Sequence, residues 1–132
     1  MIFCLYNFLS NSLTLSSSFF LLVEKLLISS KVSKIIDGKI ETEKIYENTY
    51  VLCIKDLYPR SPLHILILPK KKYIDIYDFS VSASTEEKEQ IFLAFKILIE
   101  KFKLIDKGNR IITNSGRDGR QEIPHLHFHL LA

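Results

Sequence analysis

The sequence reads as an α+β domain, an antiparallel sheet with one long helix packed on a face. Three observations lead there. Runs of β-branched and apolar residues at 50–54, 64–68 and 110–113 have strand character. A capping box, Ser84-Thr85-Glu86-Glu87, opens a segment in which Ile91, Phe95, Leu98 and Phe102 recur at i, i+4, i+7 and i+11, one apolar face of a helix. The turn-rich stretch 114–119 separates the last two strands and favours antiparallel pairing. Strand, strand, long helix, strand, strand is the order of a sheet covered by helix, and 132 residues suit a single domain.

Residues 1–30 read as an apolar extension. No charged side chain occurs before Glu24. A signal peptide lacks its leading Lys or Arg, and the many Asn, Ser and Thr residues make a poor membrane span. A docking helix or a start site assigned too far upstream fits better, and a membrane role is not expected. The domain proper is expected over 31–132. Residues 31–37 read as a short helix or turn ending near Gly38, and 44–46 as a short strand. Residues 56–62 form a loop with Pro59 and Pro62. The second strong strand, 64–68, is stopped by Pro69 before a solvated lysine triplet. The helix is expected over 85–103, the third strand over 110–113, and the fourth over 123–131.

Net charge is +3, with no cluster of Lys or Arg interleaved with aromatics, so nucleic-acid binding is not supported. Three of the four arginines, Arg110, Arg117 and Arg120, lie just upstream of the last strand and would favour an anionic ligand. Cys4 and Cys53 have neither disulfide-framework nor zinc-site spacing, which points to a reduced, cytoplasmic setting. Cys53 reads as a core residue.

The chemistry concentrates in His125-Leu126-His127-Phe128-His129. A strand has a side-chain period of two, so the three imidazoles share one face and the apolar residues the other. Imidazole titrates near neutral pH. The remaining histidine, His64, begins another strand and can converge on the same place. Three readings of these residues stay open: a nucleophilic imidazole flanked by two others, a zinc site using i and i+2 with outside help, and three exposed surface rings.

With those motifs in hand, the chain resembles the histidine triad (HIT) family, whose motif is His-φ-His-φ-His-φ-φ with φ apolar. Residues 125–131 satisfy every position. Ile45-Tyr46-Glu47-Asn48, the run 56–71, and Asn114, Gly116, Gly119 and Gln121-Glu122-Ile123-Pro124 are similar to the Hint-type purine-nucleotide phosphoramidases, and the likeness runs from about 32 to 131.

The resemblance implies a five-stranded antiparallel sheet with one long helix, two such sheets joining in a homodimer across that helix. It implies a nucleotide-binding hydrolase that splits AMP or GMP from an amine such as lysine and needs neither metal nor other cofactor. His127 would attack the α-phosphorus, and His129 would contact the phosphate and the leaving group. His125 and His64 would orient the nucleophile and relay protons. Asp56 would hold the ribose hydroxyls, while Val32, Ile35, Ile40, Ile54 and Leu57 would form the purine slot. Asn114, Gln121, Glu122 and Ile123 would lie near the phosphate. Another branch of the family cleaves dinucleoside polyphosphates, and a binding module with little activity is a further alternative. The chain differs from the family pattern at Glu122, where many relatives carry Ser or Thr. It also ends at Ala132, directly after the motif, where relatives continue, and it lacks the zinc-binding cysteine pair of some relatives.

Overall fold

The computed structural model describes residues 17–132. The part of the apolar extension before Ser17, with Cys4, lies outside the described residues. The first element, α1, spans Ser17–Ile36 and is far longer than the turn expected near residue 31. It closes where the sequence predicts, because Gly38 adopts φ +72° and lets the Lys39 N–H reach back to the Lys34 carbonyl at 2.8 Å. Among the described residues no helix is long and apolar enough to cross a membrane.

Five strands follow: β1 (Lys44–Glu47), β2 (Val51–Lys55), β3 (His64–Pro69), β4 (Arg110–Ile112) and β5 (Phe128–Leu131). They form one sheet in the order β1-β2-β3-β5-β4, with every neighbouring pair antiparallel. Asn48 makes the first turn, its side-chain oxygen accepting the N–H groups of Tyr50 and Val51 at 2.8 Å each. Between β3 and β4 lie α2 (Ile76–Ser82) and α3 (Thr85–Lys101). Ser84 caps α3 as the sequence predicts, with Glu87 reaching back to its N–H at 2.9 Å. The short helix α2 was not expected. Its signal was Asp75, whose carboxylate accepts the Asp78 N–H at 2.9 Å.

The sheet is covered on both faces. Val51, Cys53, Ile65, Ile67, Phe128 and Leu130 face α3 and pack on Ile91, Ala94 and Leu98. Burial pushes the Cys53 thiol up to about 12, which makes it an inert core group, as read from the sequence. On the other face Leu52, Ile54 and Leu68 carry the C-terminal end of α1 through Val32, Ile35 and Ile36. Register places Leu66 opposite both Ile54 and His129, so the histidine at 129 shares the α1 face.

One expectation is corrected. The last strand does not begin at residue 123; ladder pairing starts at Phe128. The backbone before it is satisfied elsewhere. Leu126 N–H donates to the Tyr73 carbonyl at 2.7 Å, the His125 carbonyl accepts the ring of His127, and the His127 carbonyl accepts the Thr113 hydroxyl at 2.9 Å. The alternation in and out survives, since Leu126 is fully buried in the core, but His125 and His127 sit on an irregular extended lead-in.

Candidate active site

Antiparallel pairing of β3 with β5 sets His64 opposite Leu131 and Leu66 opposite His129, so His64 and His129 are diagonal neighbours on one face. Their rings meet with His64 Nε2 and His129 Nδ1 2.8 Å apart. The direction of that bond follows from the other side of the ring. The Arg60 backbone N–H donates to His64 Nδ1 at 3.1 Å, so a neutral His64 carries its proton on Nε2 and donates to His129 Nδ1. The proton of a neutral His129 then lies on its Nε2. Tautomers propagate from a backbone amide through two rings.

His127 is fixed independently. Its Nδ1 lies 2.8 Å from the His125 carbonyl, which can only accept. Nδ1 therefore bears the hydrogen and Nε2 keeps a free lone pair. The ring centroid of His129 is 5.0 Å from that of His127, at 74°. The outcome is a lone pair on one imidazole beside an N–H on the next.

His125 is buried and its Nε2–H donates to the Pro69 carbonyl at 2.9 Å. The orienting contact to His127 thus comes from the backbone of His125, not from its ring, whose hydrogen bond ties the lead-in to the end of β3. His64 likewise bonds His129 rather than His127. Both differ from the direct orienting roles that the resemblance implies. The sequence could not show this, because it does not reveal which ring nitrogen meets a carbonyl.

Burial is the main cause of lowered proton affinity at His64, His125 and His129. At His129, with the positive charge His127 and His64 would bring, it pushes the pKa down to about 4. Around His64, burial wins over the attraction of Asp56, and Arg60 adds to the lowering. Burial also outweighs the carbonyl of Pro69 at His125. The folded protein holds these rings neutral where an unfolded chain would take protons, below about pH 6.5. Their folded pKa values are depressed, so the unfolded state binds more protons and stability falls as pH drops below about 6.5. Thermal melts between pH 7.5 and pH 5, above the carboxylate range, should show a falling Tm. A Tm that is flat or rising toward pH 5 would contradict the neutral assignment.

Asp56, His64 and His129 bring three ligand atoms within 4.8 Å of one another, which is metal-like spacing. The tautomer argues against that use. Ligation by His64 Nε2 would need its proton on Nδ1, facing the Arg60 N–H. The donor set suits a proton relay better than a cation. Asp56 is shared between two tasks: Oδ1 accepts the Tyr58 N–H at 2.7 Å, and Oδ2 lies 3.3 Å from His64 Nε2.

The remaining candidates divide. Val32, Ile35 and Ile54 come together on the α1 face of the sheet. Leu57 and Ile40 do not join them; Leu57 is 79% exposed and Ile40 36%. The Asn114 carboxamide donates to the Gly119 carbonyl at 2.8 Å and so braces the loop before the triad. Gln121 pins the same loop from three sides, accepting from Gly116 N–H at 3.0 Å and donating to the carbonyls of Ile74 and Ile123. A side chain at Gly119 has no room, since its Cβ would collide with the Ser115 carbonyl oxygen. Glu122 is exposed and Ile123 half-buried. Sequence reasoning missed Thr113 as a site residue; its only signal was a β-branched hydroxyl at the end of a strand.

The HIT domain family model matches residues 37–132. An uncharacterised HIT-like protein of Azospirillum brasilense is 37% identical over 100 residues, covering 76% of this chain and 82% of that protein. The crystal structure of a HIT family hydrolase from Legionella pneumophila superposes with a TM-score of 0.71 at 33% identity, covering 76% of this chain and 89% of that one. A histidine triad nucleotide-binding protein from Candida albicans gives a TM-score of 0.67 at 28% identity, covering 76% and 71%.

Proposed function

The chain belongs to the HIT family, and from that premise we propose that it is a purine-nucleotide-binding hydrolase of the Hint type, splitting nucleoside 5′-phosphoramidates. The observation that carries the reading is the 2.8 Å bond from His127 Nδ1–H to the His125 carbonyl, which leaves the Nε2 lone pair free to act as a nucleophile. The likeness to a HIT family hydrolase and to a nucleotide-binding relative supports both halves of it.

In this reading the anionic phosphate settles against His129. Its negative charge raises the proton affinity of the His64–His129 pair, which takes up one proton as substrate binds. His127 Nε2 attacks the α-phosphorus, the P–N bond breaks, and the amine leaves with the proton of the pair. Water then attacks the nucleotidyl-histidine, gives a proton back to the pair, and releases the nucleoside monophosphate. Val32, Ile35 and Ile54 would hold the purine and Asp56 the ribose. Asn114 and Gln121 would act by holding their loop, and Ile123 and Glu122 would flank the phosphate.

The proposal extends to a cytoplasmic homodimer formed across α3. Phe92, 72% exposed on that helix, and the outer edge of β4 are the surfaces that support it. The test is turnover of an adenosine phosphoramidate by purified protein with EDTA present. Release of AMP is the expected result. A folded protein that binds AMP yet releases none would replace this reading with a binding module.

A further inference from the structure

The connection between β2 and β3 is built more firmly than a link between two strands requires. Asp56 N–H closes its base on the His64 carbonyl at 3.0 Å, and the Asp56 carboxylate holds the Tyr58 N–H. The Ser61 hydroxyl donates to the Leu63 carbonyl. Arg60 N–H reaches His64 Nδ1 at 3.1 Å. Pro59 and Pro62 restrict φ on either side of Arg60-Ser61. The backbone of Arg60 is therefore held one hydrogen bond away from the relay.

The side chain of Arg60 is exposed and enters no ion pair among the described residues. Asp56, its nearest acidic residue in sequence, is engaged with Tyr58 and His64 instead. Arg117 is different, with its guanidinium 3.0 Å from its own neighbour Asp118. The charge of Arg60 also contributes to keeping protons off both His64 and His129, so it lies within electrostatic reach of both rings. A cation on a loop whose backbone hydrogen-bonds the leaving-group acid, with no ion-pair partner among the described residues, is available to the substrate.

We propose that Arg60 is a specificity-determining residue, whose guanidinium receives a negatively charged substituent on the leaving group and disfavours a cationic one. A carboxylate or a phosphate would serve, since Arg pairs with either through two parallel hydrogen bonds. Such a substituent also offsets the charge that opposes protonation of the relay, so substrate recognition and acid strength are coupled through one side chain. The chemistry rests on the hydrolase reading above; the binding preference does not.

The test uses four adenosine 5′-phosphoramidates, made from propylamine, β-alanine, 2-aminoethyl phosphate and 1,3-diaminopropane. The kcat/KM ratio of the carboxylate or phosphate adduct to the propyl adduct should fall by about tenfold or more in Arg60→Gln, and Arg60→Lys should restore part of it. The adduct with the larger loss identifies the anion. In the parent enzyme the alkaline limb of the pH profile should lie higher for the anionic adducts than for the propyl adduct, and this gap should close in Arg60→Gln. The four adducts are also titrated calorimetrically against His127→Ala with and without Arg60→Gln. Anionic adducts that bind more tightly only when Arg60 is present sustain the inference even if the parent hydrolyses nothing. Equal ratios in parent and Arg60→Gln, tighter binding of the diaminopropane adduct, or no binding of any adduct overturns it.

Discussion

Replacing His127 with alanine is expected to abolish phosphoramidate hydrolysis, by about 10⁴-fold or more, while AMP still binds within about tenfold of the parent. The loss is large because the His125 carbonyl holds the hydrogen of His127 on Nδ1 and leaves its Nε2 with a free lone pair. His64 Nδ1 is occupied by the Arg60 N–H and His129 Nδ1 by His64. His125 turns its Nε2–H to the Pro69 carbonyl and is buried behind the lead-in. No neighbouring ring is positioned to substitute. Binding should survive because the apolar wall of Val32, Ile35 and Ile54, Asp56, and the loop braced by Asn114 and Gln121 make no contact that depends on the imidazole of His127. Steady-state turnover, AMP calorimetry and a Tm check on both proteins measure this. Acid-quenched parent enzyme should carry a nucleotidyl adduct that the variant lacks. Activity within tenfold of the parent would sink the covalent route.

What could be read in advance follows the range of the interactions involved. The sheet and α3 were legible because period-two and period-3.6 patterns, a capping box and prolines are local signals, and Ser84-Glu87 closes α3 as its spacing says. The triad face was legible for the same reason: alternation puts Leu126, Phe128 and Leu130 in the core whatever the backbone does between them. The start of β5 was not. Residues 125–127 have strand-like alternation, yet their hydrogen bonds go to Tyr73, Thr113 and the His127 ring, partners 14 or more residues away in two cases. The proton order in the relay was hidden too, since it depends on a backbone N–H at Arg60 meeting a ring across a four-residue turn. Helix α1 shows the opposite failure. Its apolar residues lack a clear period, so its glycine-terminated end was visible while the part before residue 31 was read either as a docking helix or as a start site assigned too far upstream.

His64→Ala should lower kcat for amine leaving groups by about 10²- to 10³-fold, although His64 need not touch the substrate. The ring acts through His129. Its Nε2–H satisfies His129 Nδ1 at 2.8 Å and thereby sets the proton of His129 on Nε2, toward the leaving group. Alanine removes that donor, frees the Arg60 N–H, and lets His129 place its proton on either nitrogen. A structural defect alone would slow every substrate alike, so the readout must separate the two. An amine cannot leave phosphorus without a proton, whereas a p-nitrophenolate leaving group departs unaided at neutral pH. The variant should therefore lose far more activity on the amine adduct than on adenosine 5′-p-nitrophenyl phosphate, with the ratio of the two kcat losses at about tenfold or more. The neighbouring charge matters as well. A positive charge on His64 would hold protons off His129, and without the ring the His129 pKa should rise from about 4, moving the alkaline limb of the pH profile upward. Equal losses on both substrates, with an unmoved alkaline limb, would reduce His64 to a packing residue and leave His129 to work without a relay.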